Sequence, residues 1–113
     1  MDINPYSDES ETIKAAIGSI LPTAHFKYNA TATPYAIFMF YNSLPEVLAS
    51  GKNHRVGVYG DIDIFSKTDL NVGAIITALL VAGIEVRDCR DVDFDAAIGI
   101  YHKLIEFYIP VKR

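Results

Sequence analysis

Two segments of the chain carry apolar residues at the spacing of an α-helix. The first, SDESETIKAAIGSILP, has Asp8 as its predicted N-cap, with Glu11 completing a capping box, and it ends at Pro22. One apolar stripe runs along this segment and predicts an amphipathic helix with a single buried side. The stripe consists of Ile13, Ala16, Ile17 and Ile20.

The second helical segment, KTDLNVGAIITALLVAG, is apolar almost all round. Thr68 is its predicted N-cap, and Gly83 suits its C-terminal cap. Thr77 is the only polar residue between positions 74 and 82. A helix of this kind needs cover on every side, which a single layer of sheet in so small a domain cannot supply.

Four segments have the aromatic or alternating composition of β-strands and are bounded by turn residues. Connections are predicted at 23–34 and 43–54. The order helix, strand, strand, helix, strand, strand predicts a single α+β domain over residues 1–113, with a four-stranded antiparallel sheet and two helices packed on one face. The four strands are YAIFMFYN at 35–42, RVGVYGDIDIFS at 55–66, IEVRDCRDV at 84–92 and GIYHKLIEFYIP at 99–110.

The first and last of these strands are apolar on both faces. If the helices cover one face of the sheet, the other face exposes large side chains, each worth about 1.5–3 kcal/mol when buried. Such a surface predicts a homo-oligomer, unless the long loops fold over it. On the first strand the side chains concerned are Tyr35, Ile37, Met39 and Tyr41.

Composition narrows the classes of protein that this chain can belong to. The net charge of -4 argues against gripping nucleic acid by charge neutralisation, although DNA could still pass without being held. The single cysteine excludes an intrachain disulfide and a multi-cysteine zinc site. The acidic first ten residues do not resemble a signal peptide, and we expect a soluble, intracellular protein.

The residues that could carry chemistry do not form a convincing catalytic or metal-binding pattern. Cys89 and His102 could be combined with an Asp in a nucleophilic set, but a free cysteine is more often a small buried hydrophobe. The acidic series starting at Asp91 has Ala96 and His102 where an EF-hand needs Gly and Glu. We therefore expect no catalytic residue, no metal site and no cofactor.

Three segments of the chain carry a family resemblance through their order and spacing. They are YAIFMFYNSLP, YGDIDIFSK and GIYHKLIEFYIP. In that order they resemble the small tail-completion, or tail-terminator-like, minor tail proteins of long-tailed bacteriophages and prophages. Those proteins carry a strand ending in Phe-Tyr-Asn before a Pro, a strand with an Asp and an aromatic-Ser-Lys ending, a helix, and a strand opening with Tyr-His-Lys. The matching residues are Phe40, Tyr41, Asn42 and Pro45, then Asp63, Phe65, Ser66 and Lys67, then Tyr101, His102 and Lys103.

The resemblance implies a non-enzymatic structural role. Such proteins assemble as rings, commonly hexameric, that cap the finished tail tube and offer a surface to the head-completion or connector protein. DNA passes through the lumen without specific binding. The protein would be found in the virion, and in the host cytoplasm during assembly.

A ring closes through heterologous contacts, so each subunit needs two different adhesive surfaces. The two-sided strands and the apolar second helix are candidates for them. Carboxylates facing the lumen would repel phosphates and let the duplex slide. We expect subunit contacts at Tyr35, Ile37, Met39, Tyr41, Tyr101, His102 and Lys103, and lumen residues at Asp91, Asp93 and Asp95.

Two other functions are also compatible with the sequence. One is a small-molecule-binding regulatory α+β module that acts as an oligomer, which would need a polar pocket. The other is an enzyme built on Cys89 and His102, which would need these two side chains to lie together.

Overall fold

The computed structural model of the protein describes residues 7–25, 33–45 and 56–111. The predicted connections therefore lie partly outside the described residues, at 26–32 and 46–54, as does the first residue of the predicted strand 55–66. The elements in chain order are α1 (Ser7–Ile17), β1 (Thr23–His25), β2 (Tyr35–Pro45), β3 (Val56–Ser66), α2 (Gly73–Val81), β4 (Glu85–Asp95) and β5 (Ile100–Val111).

The strands form one five-stranded mixed sheet in the order β1-β2-β3-β5-β4. The α+β class is confirmed, but the prediction of four antiparallel strands is wrong because β1 adds a fifth, which pairs parallel to β2. The chain leaves α1 and runs back beside β2, where the Ala36 amide donates to the Pro22 carbonyl at 2.8 Å. A strand of three residues is too short to show a period of two in the sequence.

Both helices pack on the same side of the sheet, as predicted; we call this side the inner face and the opposite side the outer face. The strand register places alternate residues of β2, β3 and β5 on the inner face. The apolar stripe of α1 and the buried side of α2 close over them and form the core. Its buried members are Ile13, Ile17, Leu21, Ala36, Phe38, Ile62, Ile64, Ile75, Leu79, Ile84, Ile105, Phe107 and Ile109.

Helix α1 is shifted relative to its predicted limits. Asp8 lies inside its first turn and is not the N-cap, since the helix already includes Ser7. The helix ends at Ile17, before Pro22 is reached. Ile20, predicted as part of the buried stripe, therefore lies beyond the helix and is exposed.

Helix α2 begins later than predicted and ends as predicted. Thr68 is not its N-cap, because the helix starts at Gly73, whose amide donates to the Asn71 side-chain oxygen at 2.9 Å. Gly83 has a φ of 85°. Its amide donates to the Leu80 carbonyl, and the Ile84 amide to the Leu79 carbonyl, both at 3.0 Å. These two bonds form a Schellman motif.

Candidate assembly surfaces

The outward half of α2 is an apolar surface that the described residues leave exposed. Ile75 and Leu79 are buried against the sheet, whereas Leu80 is 55% exposed and Val81 is 83% exposed. The helix is thus apolar on both sides, as the sequence predicted, and only one side has cover. Exposed apolar patches of this kind are typical of contact surfaces in other proteins.

A shallow groove of about 550 Å³ runs between α1 and α2 beside this surface. The hydroxyl of Thr12 is the polar side-chain group in its lining, and it already donates to the Asp8 carbonyl at 3.0 Å. The groove is therefore apolar and is not the polar pocket that a metabolite-binding module would need. It is lined by Thr12, Ala15, Ala16, Ala78, Val81 and Ala82.

A row of stacked rings crosses the outer face of the sheet. Phe65 stacks on Tyr35, with ring centroids 5.2 Å apart, and on His102, with centroids 4.5 Å apart. His102 Nε2 lies 2.6 Å from Asp63 Oδ1. The histidine is therefore held on two sides by its own chain, in the middle of the sheet.

Next to these rings, the outer face carries carboxylates that are hydrogen-bonded to a tyrosine and to an arginine. The Tyr41 hydroxyl donates to Asp61, and Arg90 donates to both Asp88 and Glu106. Burial raises the pKa of Asp61. The hydrogen bond to that carboxylate raises the pKa of Tyr41 to about 12. The polar residues of the outer face thus bind one another, which explains why β5 lacks a simple apolar and polar alternation.

The predicted contact residues fall on both faces of the sheet. The register places Tyr35, Ile37 and Met39 with His102 on the outer face, where all are half-buried. Tyr41 follows a register shift after Phe40 and is exposed.

Tyr101 and Lys103 lie on the inner side of β5, past the region that the helices cover. The Lys103 ammonium lies 2.8 Å from Asp69 and 2.7 Å from Asp91, and its side chain is only 13% exposed. Hydrogen bonds to these two carboxylates raise the pKa of Lys103. Tyr101 packs on Phe94 with ring centroids 4.6 Å apart. Both residues therefore tie β5 to its neighbours within the chain.

The predicted lumen residues all lie on β4, at one edge of the sheet, and all are exposed. Asp91 is neutralised by Lys103. Asp95 accepts a hydrogen bond from the Ala97 amide at 3.0 Å and so shapes the turn into β5. Asp93 lies opposite His102 in the register.

The β4–β5 hairpin carries a second exposed apolar surface near its turn. Val92 is 46%, Phe94 49% and Ile98 65% exposed. We call these three residues the hairpin tip. No pattern in the sequence marks these residues as one surface, because acidic and small residues separate them along the chain.

Cys89 and His102 lie on opposite faces of the sheet. Cys89 pairs with the inner-face residue Ile105, whereas His102 points to the outer face. The geometry therefore does not assemble the Cys-His set that an enzyme would need. Cys89 is also exposed and not the buried hydrophobe that was predicted, although partial desolvation raises the pKa of its thiol.

The comparisons with known proteins give no match, either to a family model or to a curated protein. In the described ranges, no helix is long and apolar enough to cross a membrane. No group of three or more His, Cys, Asp or Glu side chains among the described residues is placed to hold a metal ion. Four surfaces of the described residues could contact another molecule. They are the exposed half of α2, the groove beside it, the hairpin tip and the outer face.

Proposed function

We propose that the chain is a non-enzymatic structural protein of a long-tailed bacteriophage or prophage. As part of an oligomeric ring, commonly hexameric in proteins of this kind, it caps the tail tube and joins the tail to the head. Its partners are copies of itself, the tail tube protein and the head-completion or connector protein. The observation that carries the proposal is the uncovered apolar half of α2, where Leu80 and Val81 are exposed.

A ring needs two different surfaces on each subunit, and the chain offers two apolar ones. The first is the exposed half of α2 with its groove. The second is the hairpin tip. Glu85, which follows α2 closely in the chain, and Phe94 pair with Tyr108 and Tyr101 of β5. Because a strand rises about 3.3 Å per residue, they lie about 23 Å apart along the sheet. This separation suits contacts to two different neighbours.

The charge distribution suits a channel through which DNA passes without being held. The net charge is -4, and Asp93 and Asp95 are exposed on β4. Carboxylates near the duplex repel its phosphates and shorten the time for which the DNA stays bound to the protein. The resemblance of the three strand segments to tail-completion proteins supports the same role.

Deletion of the gene from its phage or induced prophage tests this proposal. We expect full heads and separate tails, or tails of irregular length, in electron micrographs of the lysate. A plasmid copy of the wild-type gene should restore joined particles and plaque formation. Normal virions produced without the gene would exclude the proposed function.

A further inference from the structure

Strand β4 lies at the edge of the sheet, and its second backbone edge faces no strand of residues 7–25, 33–45 and 56–111. The strand has 11 residues and is exposed from Arg87 to Asp95. An edge strand of this length presents a row of backbone donors and acceptors that a further strand can pair with.

The centre of β4 is complementary in charge to itself when it is read in reverse. The segment Val86–Val92 reads VRDCRDV. If two copies are paired antiparallel with Cys89 opposite Cys89, each Arg of one copy falls opposite an Asp of the other, and Val falls opposite Val. Opposite charges facing each other across strands favour such a pairing, and like charges oppose it.

The faces on which the side chains lie select the pairs that can meet. Asp88 and Arg90 both lie on the outer face, opposite Glu106 and Leu104 of β5. In the self-paired strand, Asp88 of one copy and Arg90 of the other therefore meet on the same face. The two-fold symmetry creates this contact twice.

All four charges of this segment have partners within the chain. Arg90 donates to Asp88 and to Glu106, so the pairing would add a further partner to Asp88 and Arg90. The flanking charges are engaged as well. Arg87 lies over the rings of Tyr59 and Tyr108, with its guanidinium carbon 5.5 and 5.6 Å from the centroids. Asp91 is paired with Lys103. Register shifts lie between Val86 and Asp88 and between Asp91 and Asp93, so a regular segment of strand remains between them. The contact is thus centred on residues 88–90.

We infer that a second copy of this chain pairs antiparallel with β4 about Cys89 and joins the two sheets across a two-fold axis. This contact is isologous, so it differs from the heterologous contacts that close a ring. It is a property of the free protein and goes beyond the proposed function.

Charge reversal on the purified full chain tests the pairing, with sedimentation equilibrium as the measurement. We expect the wild type to dimerise, and Asp88→Arg and Arg90→Asp each to weaken the dimer about tenfold, because each places like charges opposite each other twice. Asp95→Arg is the matched control, since it reverses an exposed charge on the same strand outside the paired segment, and it should leave the dimer unchanged.

Mixing the two variants gives the decisive result. In a mixture of Asp88→Arg and Arg90→Asp, both contacts become attractive again, so a heterodimer of near wild-type affinity should form. The double variant Asp88→Arg/Arg90→Asp should likewise restore the homodimer. Circular dichroism shows whether each variant is folded. If Arg90→Asp does not fold, the comparison of Asp88→Arg with the double variant still tests the pairing.

A short bis-maleimide provides an independent readout through Cys89. We expect it to link two wild-type chains and to fail with Asp88→Arg at the same concentration. A wild-type monomer at high micromolar concentration would overturn the inference. A dimer that both reversals leave intact, or reversals that neither mixing nor the double variant rescues, would also overturn it. None of these results depends on tail assembly, so failure here is distinct from failure of the proposed function.

Discussion

At the residue scale, His102 has a structural role. The ring is stacked on Phe65 and bonded to Asp63, and both partners come from the neighbouring strand β3. The side chains of His102 and Asp63 are mostly buried, at 23% and 18% exposure. The pair therefore fastens β3 to β5 near the end of β3 and the start of β5.

Replacing Asp63 by Ala should lower the free energy of unfolding by about 1–3 kcal/mol, because it leaves the buried imidazole without its acceptor. Urea denaturation monitored by circular dichroism measures the change. Asp93→Ala is the matched control, since Asp93 is exposed and lies opposite the same histidine in β4; it should change stability by less than about 0.5 kcal/mol. Equal effects of the two substitutions would contradict the assigned role of Asp63.

The Tyr41–Asp61 contact predicts an alkaline titration that depends on a single carboxylate. The hydrogen bond raises the pKa of Tyr41 from 10.0 to about 12. The folded chain thus holds this proton more tightly than the unfolded chain, so the stabilisation is complete below pH 10.0 and is lost as the pH rises towards 12.

Nuclear magnetic resonance of labelled tyrosine rings, with Tyr41→Phe to assign the signal, measures that midpoint. Asp61→Asn should move it down towards 10.0, the ordinary value. Asp61 itself has a raised pKa, so its ionisation weakens the fold as the pH rises above the ordinary carboxyl range. Asp61→Asn should remove that fall in stability. A Tyr41 midpoint that stays the same in Asp61→Asn would rule out the contact.

At the element scale, the sequence predicted those features that depend on local pattern. The stripe of α1, the α+β class and the Gly83 cap follow from spacing and from the φ angle that glycine permits. The start of α2 did not follow, because Thr68 is a good capping residue by type, whereas Val72 occupies the N-cap position in the folded chain and Asn71 only accepts a hydrogen bond from the Gly73 amide. Strand β1 was missed because its pairing with β2 is a tertiary contact.

Close backbone packing predicts a large effect of one methyl group in β3. A Cβ atom added at Gly60 would lie 2.2 Å from the Met39 carbonyl oxygen and 2.5 Å from the Phe107 ring. Relief would require β2 to move away from β3, so Gly60→Ala should destabilise the fold by about 3 kcal/mol or more. Urea denaturation gives the value.

Gly83→Ala serves as the comparison for this substitution. Apart from Gly83 itself and its two neighbours in the chain, no atom of the described residues lies within 4 Å of the added Cβ there, but the φ of 85° is unfavourable for Ala. We expect a loss of about 1–2 kcal/mol, and a smaller loss for Gly83→Asn. If Gly60→Ala proved milder than Gly83→Ala, the close approach of β2 and β3 at this point would be wrong.

At the scale of the whole molecule, the sequence predicted that the second helix would leave apolar surface exposed, and Leu80 and Val81 are exposed there; it did not predict the hairpin tip. Alternation along a strand assigns a face, yet it does not show which neighbouring side chains cover that face. Tyr35 and His102 were expected at a subunit contact and are half-buried among rings of their own sheet. Among the described residues, the three most exposed large apolar side chains are Val81, Ile98 and Leu80, on α2 and at the hairpin tip. Of the predicted contact residues, Tyr41 is exposed, at 50%.

A charge placed on the exposed half of α2 should prevent assembly without unfolding the chain. Val81 is 83% exposed, so Val81→Asp should lower the free energy of unfolding by only about 0.3–1 kcal/mol, the cost of a negative charge at the C-terminal end of the helix dipole. We expect it to fail to restore joined particles in the deletion phage.

Asn71→Asp is the control for this variant. It adds the same charge beside the same helix, off the apolar surface, and it keeps an oxygen that can accept from the Gly73 amide. Its plaque count should equal that of the wild type. Full complementation by a stably expressed Val81→Asp protein would show that the exposed half of α2 is not an assembly surface.

Cryo-electron microscopy of the head-proximal end of purified tails shows whether this chain forms a ring there. We expect a closed ring of this chain on the tail tube, with Leu80 and Val81 of each copy buried against a neighbouring subunit and the lumen open to the width of a DNA duplex. A tail end that lacks the chain, or a ring in which this half of α2 faces solvent, would contradict it.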